Sequence, residues 1–569
     1  MLGMKQLNLL ACLICFLASG SAEAQDSLLL INAKIFDVVK GKLDDRPQSI
    51  LISGNRIVDV SSTLDLTADD VIDLQGRVVL PGLIDLHSRL LLHPYNDTVW
   101  DDQALKEPVA VRTIRATVAA NQTLAAGFTT IRDLGTAGAG LADVALRDSI
   151  DQGIIPGPRL YVATKALAPT GGYEPMGFDP RWEIPIGVQN ADGVTECRKA
   201  TREQIAAGAD WIKIYADYRR RPDAVATPTF SQSEIDAIVD EARSANVPVA
   251  AQATTDIAIS RCLKAGVKTI EHGYDASPET LETMRKKGVI LCPTLSAAES
   301  ISVYQGWDPK NDPDPPRIQK AKTLIKNAME TGVMIGCGSN AGVFPHGQNS
   351  RELELMFAYG MSVEDALRSA TVIAANVLGQ SYLGQVGPKF VADLIVLDEN
   401  PVDNIFTLQS PRMVIKNGEV VIDQLSSSTS TTNPSLTNQN PLTSGVVEET
   451  IQLGSNKELG KLIRQLDMAS PNIQTEPENA PIPSKPEIKK AGQSQAAQFE
   501  FQLNKDGTFS LKNEPIARGD LARFIARQLE ADRKTALVSI ASGTSEQNVE
   551  KTKAWLNRLG VTSVRFVEP

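Results

Sequence analysis

The chain has 569 residues, of which 42% are hydrophobic and 22% are charged, as in ordinary globular proteins. At this length two or three domains are expected rather than one. Acidic residues outnumber basic ones by 68 to 57, which gives a net charge of -11 and a pI near 5.2. This balance excludes nucleic acid as an expected partner and gives no support to an anionic membrane surface.

Residues 1–24 have the pattern of a secretory signal peptide. Lys5 precedes an apolar run over 7–17, and Ala22-Glu23-Ala24 is an Ala-x-Ala cleavage site. We therefore predict an exported protein, either periplasmic or secreted. The alternatives are a buried N-terminal helix and a lipoprotein anchor at Cys12, although the apolar run before Cys12 is short for a lipoprotein signal.

Short strands are predicted on both sides of a long alternating region. They cover 28–35, 49–52, 56–60 and 78–80 on the N-terminal side, and 392–398 and 414–420 on the C-terminal side. Strands at both ends of one domain can join into a single small sheet. Residues 25–80 and 385–423 are therefore predicted to form a composite β-sandwich domain.

Residues 81–384 alternate strand-like and helix-like patterns. The strand-like runs are 83–87, 128–132, 159–162, 211–215, 247–252, 269–272, 289–293 and 333–337. Helical patterns lie between them, and helix-ending glycines precede several strands, namely Gly127, Gly208, Gly266, Gly288 and Gly332. Eight such units predict an α/β protein with a (β/α)8 TIM-type barrel. A doubly wound sheet is the alternative, but no glycine-rich dinucleotide loop follows the first strand.

The composition changes at residue 424. Residues 424–497 are rich in Ser, Thr and Pro, which predicts a flexible linker. Residues 498–569 begin with a predicted hairpin and continue with helices at 521–529 and 546–559 and strands at 536–541 and 563–567. This order, ββαβαβ, predicts a small α+β domain.

Several motifs within 28–423 resemble those of a known family. They are 79–89 (VLPGLIDLHSR), 91–96 (LLHPYN), 127–133 (GFTTIRD), 209–213 (ADWIK), 269–273 (TIEHG), 344–347 (FPHG) and 387–393 (GPKFVAD). With these motifs the chain resembles the amidohydrolase superfamily, in its imidazolonepropionase-like and Xaa-Pro dipeptidase-like branch. The element order of 498–569 resembles the periplasmic domain of ExbD/TolR-type proteins.

The amidohydrolase resemblance implies two zinc ions at the C-terminal mouth of the barrel, where they activate a water molecule. The retained ligand positions are His87, Lys213 and His272. The replaced positions are Arg89 and Gln252, which stand where the family has histidines, and Asn340, which stands where it has the catalytic aspartate. Each metal position keeps at most two family-type ligands, whereas catalytic zinc typically has three. Arg89 also opposes a dication, so we predict no metal or one weakly bound metal.

These replacements predict a catalytically impaired pseudo-hydrolase that binds a small amide- or peptide-like ligand at the barrel mouth. Tyr215 and Arg219 are candidate contacts for a ligand carboxylate, and a solvated loop competes with this role. His346 is a further candidate, for which loop capping competes.

Two other functions stay open. One is an active metal-dependent hydrolase of amide or dipeptide C–N bonds with an atypical or single-metal site. The other is an envelope interaction protein, in which 498–569 binds an envelope protein or a second copy of itself.

Overall fold

The computed structural model describes residues 27–62, 67–179, 181–219, 221 and 224–425. Towards the C-terminus it describes 498–504, 509–511, 514–516, 535–540, 563–567 and residues 549, 552, 553 and 556. The predicted signal peptide, nearly all of the predicted linker and the predicted helix at 521–529 lie outside the described residues. Residue contacts divide the chain into two units, 1–427 with 496–569, and 428–495.

The described strands and helices follow the chain in this order. The strands are β1 (Ser27–Asp37), β2 (Lys42–Ser53), β3 (Arg56–Ser61), β4 (Asp70–Asp73), β5 (Val78–Pro81), β6 (Leu83–Ser88), β7 (Phe128–Asp133), β8 (Arg159–Val162), β9 (Ala166–Ala168), β10 (Val188–Asn190), β11 (Ile212–Tyr215), β12 (Asp217–Arg219), β13 (Ala226–Pro228), β14 (Val249–Ala253), β15 (Thr269–His272), β16 (Ile290–Cys292), β17 (Leu394–Leu397), β18 (Met413–Lys416), β19 (Glu419–Asp423), β20 (Gln498–Leu503), β21 (Phe509–Leu511), β22 (Glu514–Ile516), β23 (Thr535–Ile540) and β24 (Ser563–Val567). The helices are α1 (Trp100–Lys106), α2 (Val109–Ala125), α3 (Ala142–Asp151), α4 (Gly193–Ala206), α5 (Gln232–Ser244), α6 (Asp256–Ala265), α7 (Pro278–Lys287), α8 (Leu295–Tyr304), α9 (Pro316–Thr331), α10 (Arg351–Ala358), α11 (Val363–Ser369) and α12 (Val372–Val377), and a 3-10 turn covers Ile405–Gln409.

One sheet joins the two ends of residues 27–425. Its order is β19-β18-β17-β5-β1-β2-β3, and β4 pairs with β1. The junction is the antiparallel pairing of β17 with β5, in which Ile395 lies opposite Leu80. The run predicted as one strand at 414–420 is a hairpin of β18 and β19, because Asn417 and Gly418 adopt left-handed φ angles and form its turn.

The alternating region has the parallel strands of a β/α barrel. Strands β6-β7-β8 form one sheet and β10-β9-β11-β14-β15-β16 form another. Trp211 N, directly before β11, donates to Val162 O at the end of β8, and Leu86 N in β6 donates to Cys337 O in the segment after α9. Gly266, Gly288 and Gly332 end α6, α7 and α9 in the left-handed conformation, as their positions in the sequence predict.

The segment predicted as the eighth barrel strand, 333–337, differs from the prediction. It forms an isolated bridge between Ile335 and Leu291 rather than a ladder. Gly336 and Gly338 explain the difference. A Cβ atom on Gly336 would lie 2.7 Å from Leu86 Cδ1, and one on Gly338 would lie 2.9 Å from His87 Cβ. The glycines let this segment approach β6 closely, but glycine also weakens regular strand structure.

The C-terminal residues form a separate five-stranded sheet in the order β22-β21-β20-β23-β24. The predicted hairpin is present as β20 and β21, and β23 and β24 add in parallel beside β20. Strand β22 is not anticipated by the sequence pattern, because Pro515 lies at its centre. Within the described residues, no helix is long and apolar enough to cross a membrane.

Candidate active site

The six positions of the metal pattern converge at one end of the barrel. His87 lies in β6, Lys213 in β11, Gln252 in β14 and His272 at the end of β15, while Arg89 follows β6 and Asn340 follows the eighth-strand segment. The rings of His87 and His272 have centroids 5.5 Å apart. Asn340 N donates to His87 O. The carboxyl ends of barrel strands are where enzymes of this architecture place their chemistry.

His87 is held by a buried charged network. Its Nδ1 lies 2.8 Å from Glu271 Oε2, and Arg132 Nη2 donates to Glu271 Oε1 at 2.9 Å. Burial and the charge of Lys213 lower the pKa of His87 to about 3, so the ring is neutral at pH 7. Although burial opposes it, the charge of Arg132 and the hydrogen bond from His87 hold the pKa of Glu271 below its usual value. Nδ1–H therefore donates to a carboxylate, which leaves Nε2 as an acceptor.

Arg89 is a buried cation among phenol groups. The residue is 6% exposed, and its Nη2 donates to Tyr215 Oη at 2.6 Å. Tyr95 and Tyr173 lie beside it, and the ring of Tyr173 stacks on that of Tyr215 with centroids 3.8 Å apart. The Nε atom has no hydrogen-bond partner among the described residues. A permanent positive charge therefore stands where the family has a metal-binding histidine.

Lys213 is buried and unpartnered. It is 1% exposed, and Nζ has no hydrogen-bond partner in the part of the chain that the structure describes. Burial lowers the pKa of its amine to about 7, although the charge of Glu271 opposes the shift. Arg89 and Arg132 act in the same direction as burial. At neutral pH Lys213 is therefore present in both its neutral and its charged form.

His272 is also fixed through Nδ1. This atom lies 2.6 Å from Thr294 Oγ1, which itself donates to Pro293 O. The ring Nδ1–H is then the donor, and Nε2 is the acceptor. Burial and the nearby charges lower the pKa of His272 well below its usual value. His272 and Thr294 both adopt left-handed φ angles, 73° and 52°, which are costly for such residues and place both side chains at the strand ends.

A cavity of about 1020 Å³ opens above this cluster. Gln252, His272 and Asn340 contribute to its lining, and they form its floor because they are also members of the cluster. The aromatic side chains around it are Tyr95, Trp100, Tyr173, Tyr218 and Tyr274, and the cationic ones are Arg219, Arg317 and Lys320. The walls also include aliphatic side chains and three aspartates, Asp101, Asp217 and Asp275, so the cavity is polar at the floor and of mixed character along its walls.

The three predicted ligand contacts differ in position. Arg219 is exposed and lines the cavity. Tyr215 is buried beneath it, where it binds Arg89. His346 is buried outside the lining, and its Nε2 lies 3.1 Å from Leu92 O, which favours the competing loop-capping role.

Sequence reasoning missed Glu271 and Arg132, which orient His87. Both lie inside motifs that carry the family resemblance, TIEHG and GFTTIRD. Their signal was one acidic and one basic residue within two strands predicted for the barrel, since charged residues are rarely buried unless they pair. In the structure both side chains are fully buried and paired.

The donor set does not fit the family's two-metal centre. Arg89 is a cation, and Gln252 and Asn340 offer neutral amide oxygens that bind zinc poorly beside imidazole or carboxylate. Among the described residues there is no group of three His, Cys, Asp or Glu side chains that could hold a metal ion. The described residues at the barrel mouth therefore do not supply the donor set of the family's two-metal centre.

A parallel β/α barrel with histidine and lysine side chains at the carboxyl ends of its strands is the arrangement found in metal-dependent hydrolases. The comparisons with known proteins identify the family. The chain belongs to the amidohydrolase family, whose model matches residues 78–421. The family resemblance predicted from the motifs is thus confirmed.

Three relatives illustrate the similarity. An ochratoxinase of Aspergillus niger is 30% identical over 400 residues, which are 65% of this chain and 81% of the relative. A crystal structure of a prolidase complexed with N-methylphosphonate-L-proline is 30% identical, with a TM-score of 0.62 over 70% of this chain and 100% of that one. A Xaa-Pro dipeptidase with bound methionine is 32% identical, with a TM-score of 0.60 over 69% and 99%. The resemblance of 498–569 to ExbD/TolR-type domains stays a prediction.

Proposed function

We propose that this protein binds a small amide- or peptide-like ligand at the barrel mouth without hydrolysing it. The observation that carries the proposal is the buried guanidinium of Arg89, bonded to Tyr215 at a position where the family binds metal. In a buried site a fixed cation beside Lys213 strongly disfavours a divalent cation, because like charges repel more as the dielectric falls.

Asn340 supports the loss of turnover. A carboxamide cannot take up a proton at neutral pH, so Asn340 cannot serve as the general base that an aspartate would provide. The nearby imidazoles do not replace it. Burial lowers the pKa of His87 to about 3 and that of His272 well below its usual value, which is too far from neutrality for efficient proton abstraction.

The cavity supports a ligand of amino-acid type. Its volume of about 1020 Å³ is at the upper end of the roughly 300–1,000 Å³ typical of small-molecule sites. The amide groups of Gln252 and Asn340 match the N–H and C=O groups of a peptide bond, and the aromatic side chains in the walls suit an apolar side chain. Relatives solved with a proline phosphonate and with methionine at the site favour the same class.

A second candidate function is an active hydrolase with a single-metal site. One observation favours it: His87 and His272 each donate Nδ1–H to a fixed partner, Glu271 and Thr294. Such partners orient imidazole ligands in metal sites and leave Nε2 unprotonated. The names of the relatives, which include a dipeptidase, agree with this candidate.

The deciding experiment is plasma mass spectrometry on zinc-loaded, washed protein, with assays on Xaa-Pro dipeptides. We expect substoichiometric metal and no turnover in the wild type, and metal recovery in the variant Arg89→His, Gln252→His, Asn340→Asp. A matched double variant that keeps Arg89 should remain metal-poor, because the guanidinium is still present. Stoichiometric zinc and dipeptide cleavage in the wild type would establish the second candidate.

We also propose that the mature protein is exported and that 498–569 contacts an envelope protein or a second copy of the chain. The support is the sequence pattern of 1–24 and the element order of the C-terminal residues. Mass spectrometry of the mature protein should give Gln25 as its first residue. Cross-linking in cells should give adducts with the full chain that a chain ending at residue 497 does not give.

A further inference from the structure

Two buried basic side chains at the barrel mouth form no ion pair with a carboxylate among the described residues. Arg89 and Lys213 are 6% and 1% exposed. Arg89 Nε and Lys213 Nζ have no hydrogen-bond partner in the described residues. The carboxylate that belongs to this cluster, Glu271, is already engaged by Arg132 and His87.

Two other buried arginines show how this chain satisfies a structural guanidinium. Arg112 donates from all three nitrogens to the backbone oxygens of Leu91, Thr136 and Ala137. Arg132 donates from all three nitrogens to Leu86 O, Thr269 Oγ1 and Glu271 Oε1. Arg89 instead meets the phenols of Tyr215, Tyr173 and Tyr95 and leaves Nε unsatisfied. Arg89 is therefore held by phenols, whereas the other two arginines are held by backbone oxygens or a carboxylate, and one of its N–H groups stays available to a ligand.

The cluster as a whole carries excess positive charge. Arg89 and Arg132 are permanently charged, Lys213 is partly charged at neutral pH, and the buried carboxyl groups near them are Glu271 and Asp133, of which burial raises the pKa of Asp133 to about 8. The two histidines are neutral. Buried charge of one sign is unfavourable unless a counter-charge is present. The site is therefore arranged for a negative group that comes from outside the chain.

We infer that Arg89 and Lys213 form a binding site for one small oxyanion, the carboxylate of the ligand, at the floor of the cavity. The inference rests on the proposed function and names the ligand group that the site recognises. Guanidinium and ammonium groups are the side chains that bind carboxylates most strongly, through charge-assisted hydrogen bonds.

The cavity reaches the neighbours of Arg89 and Lys213, although these two residues do not themselves line it. Tyr95 and Tyr173 line the cavity and also lie beside Arg89. His272 lines the floor, and its ring lies 5.5 Å from that of His87 in the same cluster. A carboxylate at the floor is distinct from one bound at the rim, where Arg219 is exposed.

Benzoate and benzamide provide the test, because they share a shape and differ in charge. Isothermal titration calorimetry of metal-free protein should show benzoate binding at least about tenfold more tightly than benzamide. Arg89→Met and Lys213→Met should each weaken benzoate binding at least about tenfold. Lys213→Met removes an amine that has no hydrogen-bond partner among the described residues, so this variant should fold. It therefore tests the site even if Arg89→Met does not fold. Lys322→Met is the matched control, because Lys322 pairs with Asp314 outside the cavity lining and should not affect binding.

The outcomes separate the inference from the proposed function. Equal binding of benzoate and benzamide would overturn the oxyanion site while leaving non-hydrolytic ligand binding intact. Loss of benzoate binding in Arg219→Gln but not in Lys213→Met would overturn it by placing the carboxylate at the rim. Inorganic phosphate that displaces benzoate with higher affinity would support the oxyanion site and assign it to a phosphate group. Stoichiometric zinc with dipeptide cleavage would instead overturn the proposed function.

Discussion

Arg89 donates a hydrogen bond to the phenolic oxygen of Tyr215 across 2.6 Å, at a position where the arginine is 6% exposed. The contact joins the residue after β6 to the last residue of β11 and fixes a guanidinium beside the amine of Lys213. Arg89 is permanently charged and Lys213 is partly charged at neutral pH, and neither forms an ion pair with a carboxylate among the described residues. The barrel mouth therefore stores unfavourable charge interactions, and measurements of stability can detect them.

We expect Lys213→Met to stabilise the protein. Methionine has a similar length and removes a buried donor whose lack of a partner costs about 1–3 kcal/mol, so the free energy of unfolding should rise by a comparable amount. Equilibrium urea unfolding measures this change. Lys322→Met removes a half-exposed lysine paired with Asp314 at 2.6 Å and should give no such gain. A destabilised Lys213→Met would show that the amine has a native partner, such as a carboxyl group bound to metal.

We expect Glu271→Gln to destabilise the barrel strongly. The substitution keeps the shape of the side chain but leaves Arg132, which is fully buried, without its counter-charge. Breaking a buried ion pair on one side typically costs about 3–5 kcal/mol. The same unfolding assay applies. Glu282→Gln is the control, because the Glu282–Arg285 pair lies on the surface at 2.7 Å and its loss should not be measurable. Equal effects of the two substitutions would contradict the structural role of Glu271.

Gly418→Ala tests the joining of the two ends of the first sheet. Gly418 has a φ of 85°, and a Cβ atom there would collide with the backbone oxygen of Gly54, in the turn between β2 and β3. Alanine at Gly288 meets no heavy atom within 4 Å and has a similar φ of 66°. Gly288→Ala should therefore cost only the left-handed penalty of roughly 1–2 kcal/mol, and Gly418→Ala should cost clearly more. Equal losses in urea unfolding would mean that the two turns do not touch.

The fold was largely predictable because its signals are local. Alternating strand and helix patterns, together with helix-ending glycines such as Gly266, indicate a barrel without knowledge of distant contacts. The eighth strand could not be judged in the same way. Gly336 and Gly338 allow a close approach to β6, and this long-range contact replaces a regular ladder with isolated bridges.

The candidate site was predictable in its membership but not in its pairing. Motif positions alone indicated Arg89, Lys213 and Asn340. Tyr215 accepts a hydrogen bond from Arg89, and this pairing depends on side-chain packing across strands. His346 stands near the mouth in sequence terms, yet its position after the turn directs its ring to Leu92 O rather than into the cavity. Such directions follow from tertiary contacts and have no local pattern.

His346 gives a prediction for the dependence of stability on pH. Burial lowers its pKa to about 4 in the folded protein, below the value of about 6.5 for an unperturbed histidine. As the pH falls through 6.5 the unfolded chain takes up a proton that the folded protein does not. The contribution of the neutral ring to stability is therefore complete above pH 6.5 and is lost between pH 6.5 and 4. The expected loss is about 3 kcal/mol, from a shift of about 2.5 pKa units.

His346→Gln isolates this contribution. Glutamine can still donate to Leu92 O, which lies 3.1 Å from Nε2 of the histidine, but it does not titrate. The difference in unfolding free energy between wild type and variant should be constant from pH 8 to about 6.5, which serves as an internal control. Below that range the wild type should lose stability relative to the variant until about pH 4. A difference that stays constant over the whole range would show that His346 is not buried as a neutral ring, because only a shifted pKa links its protonation to folding.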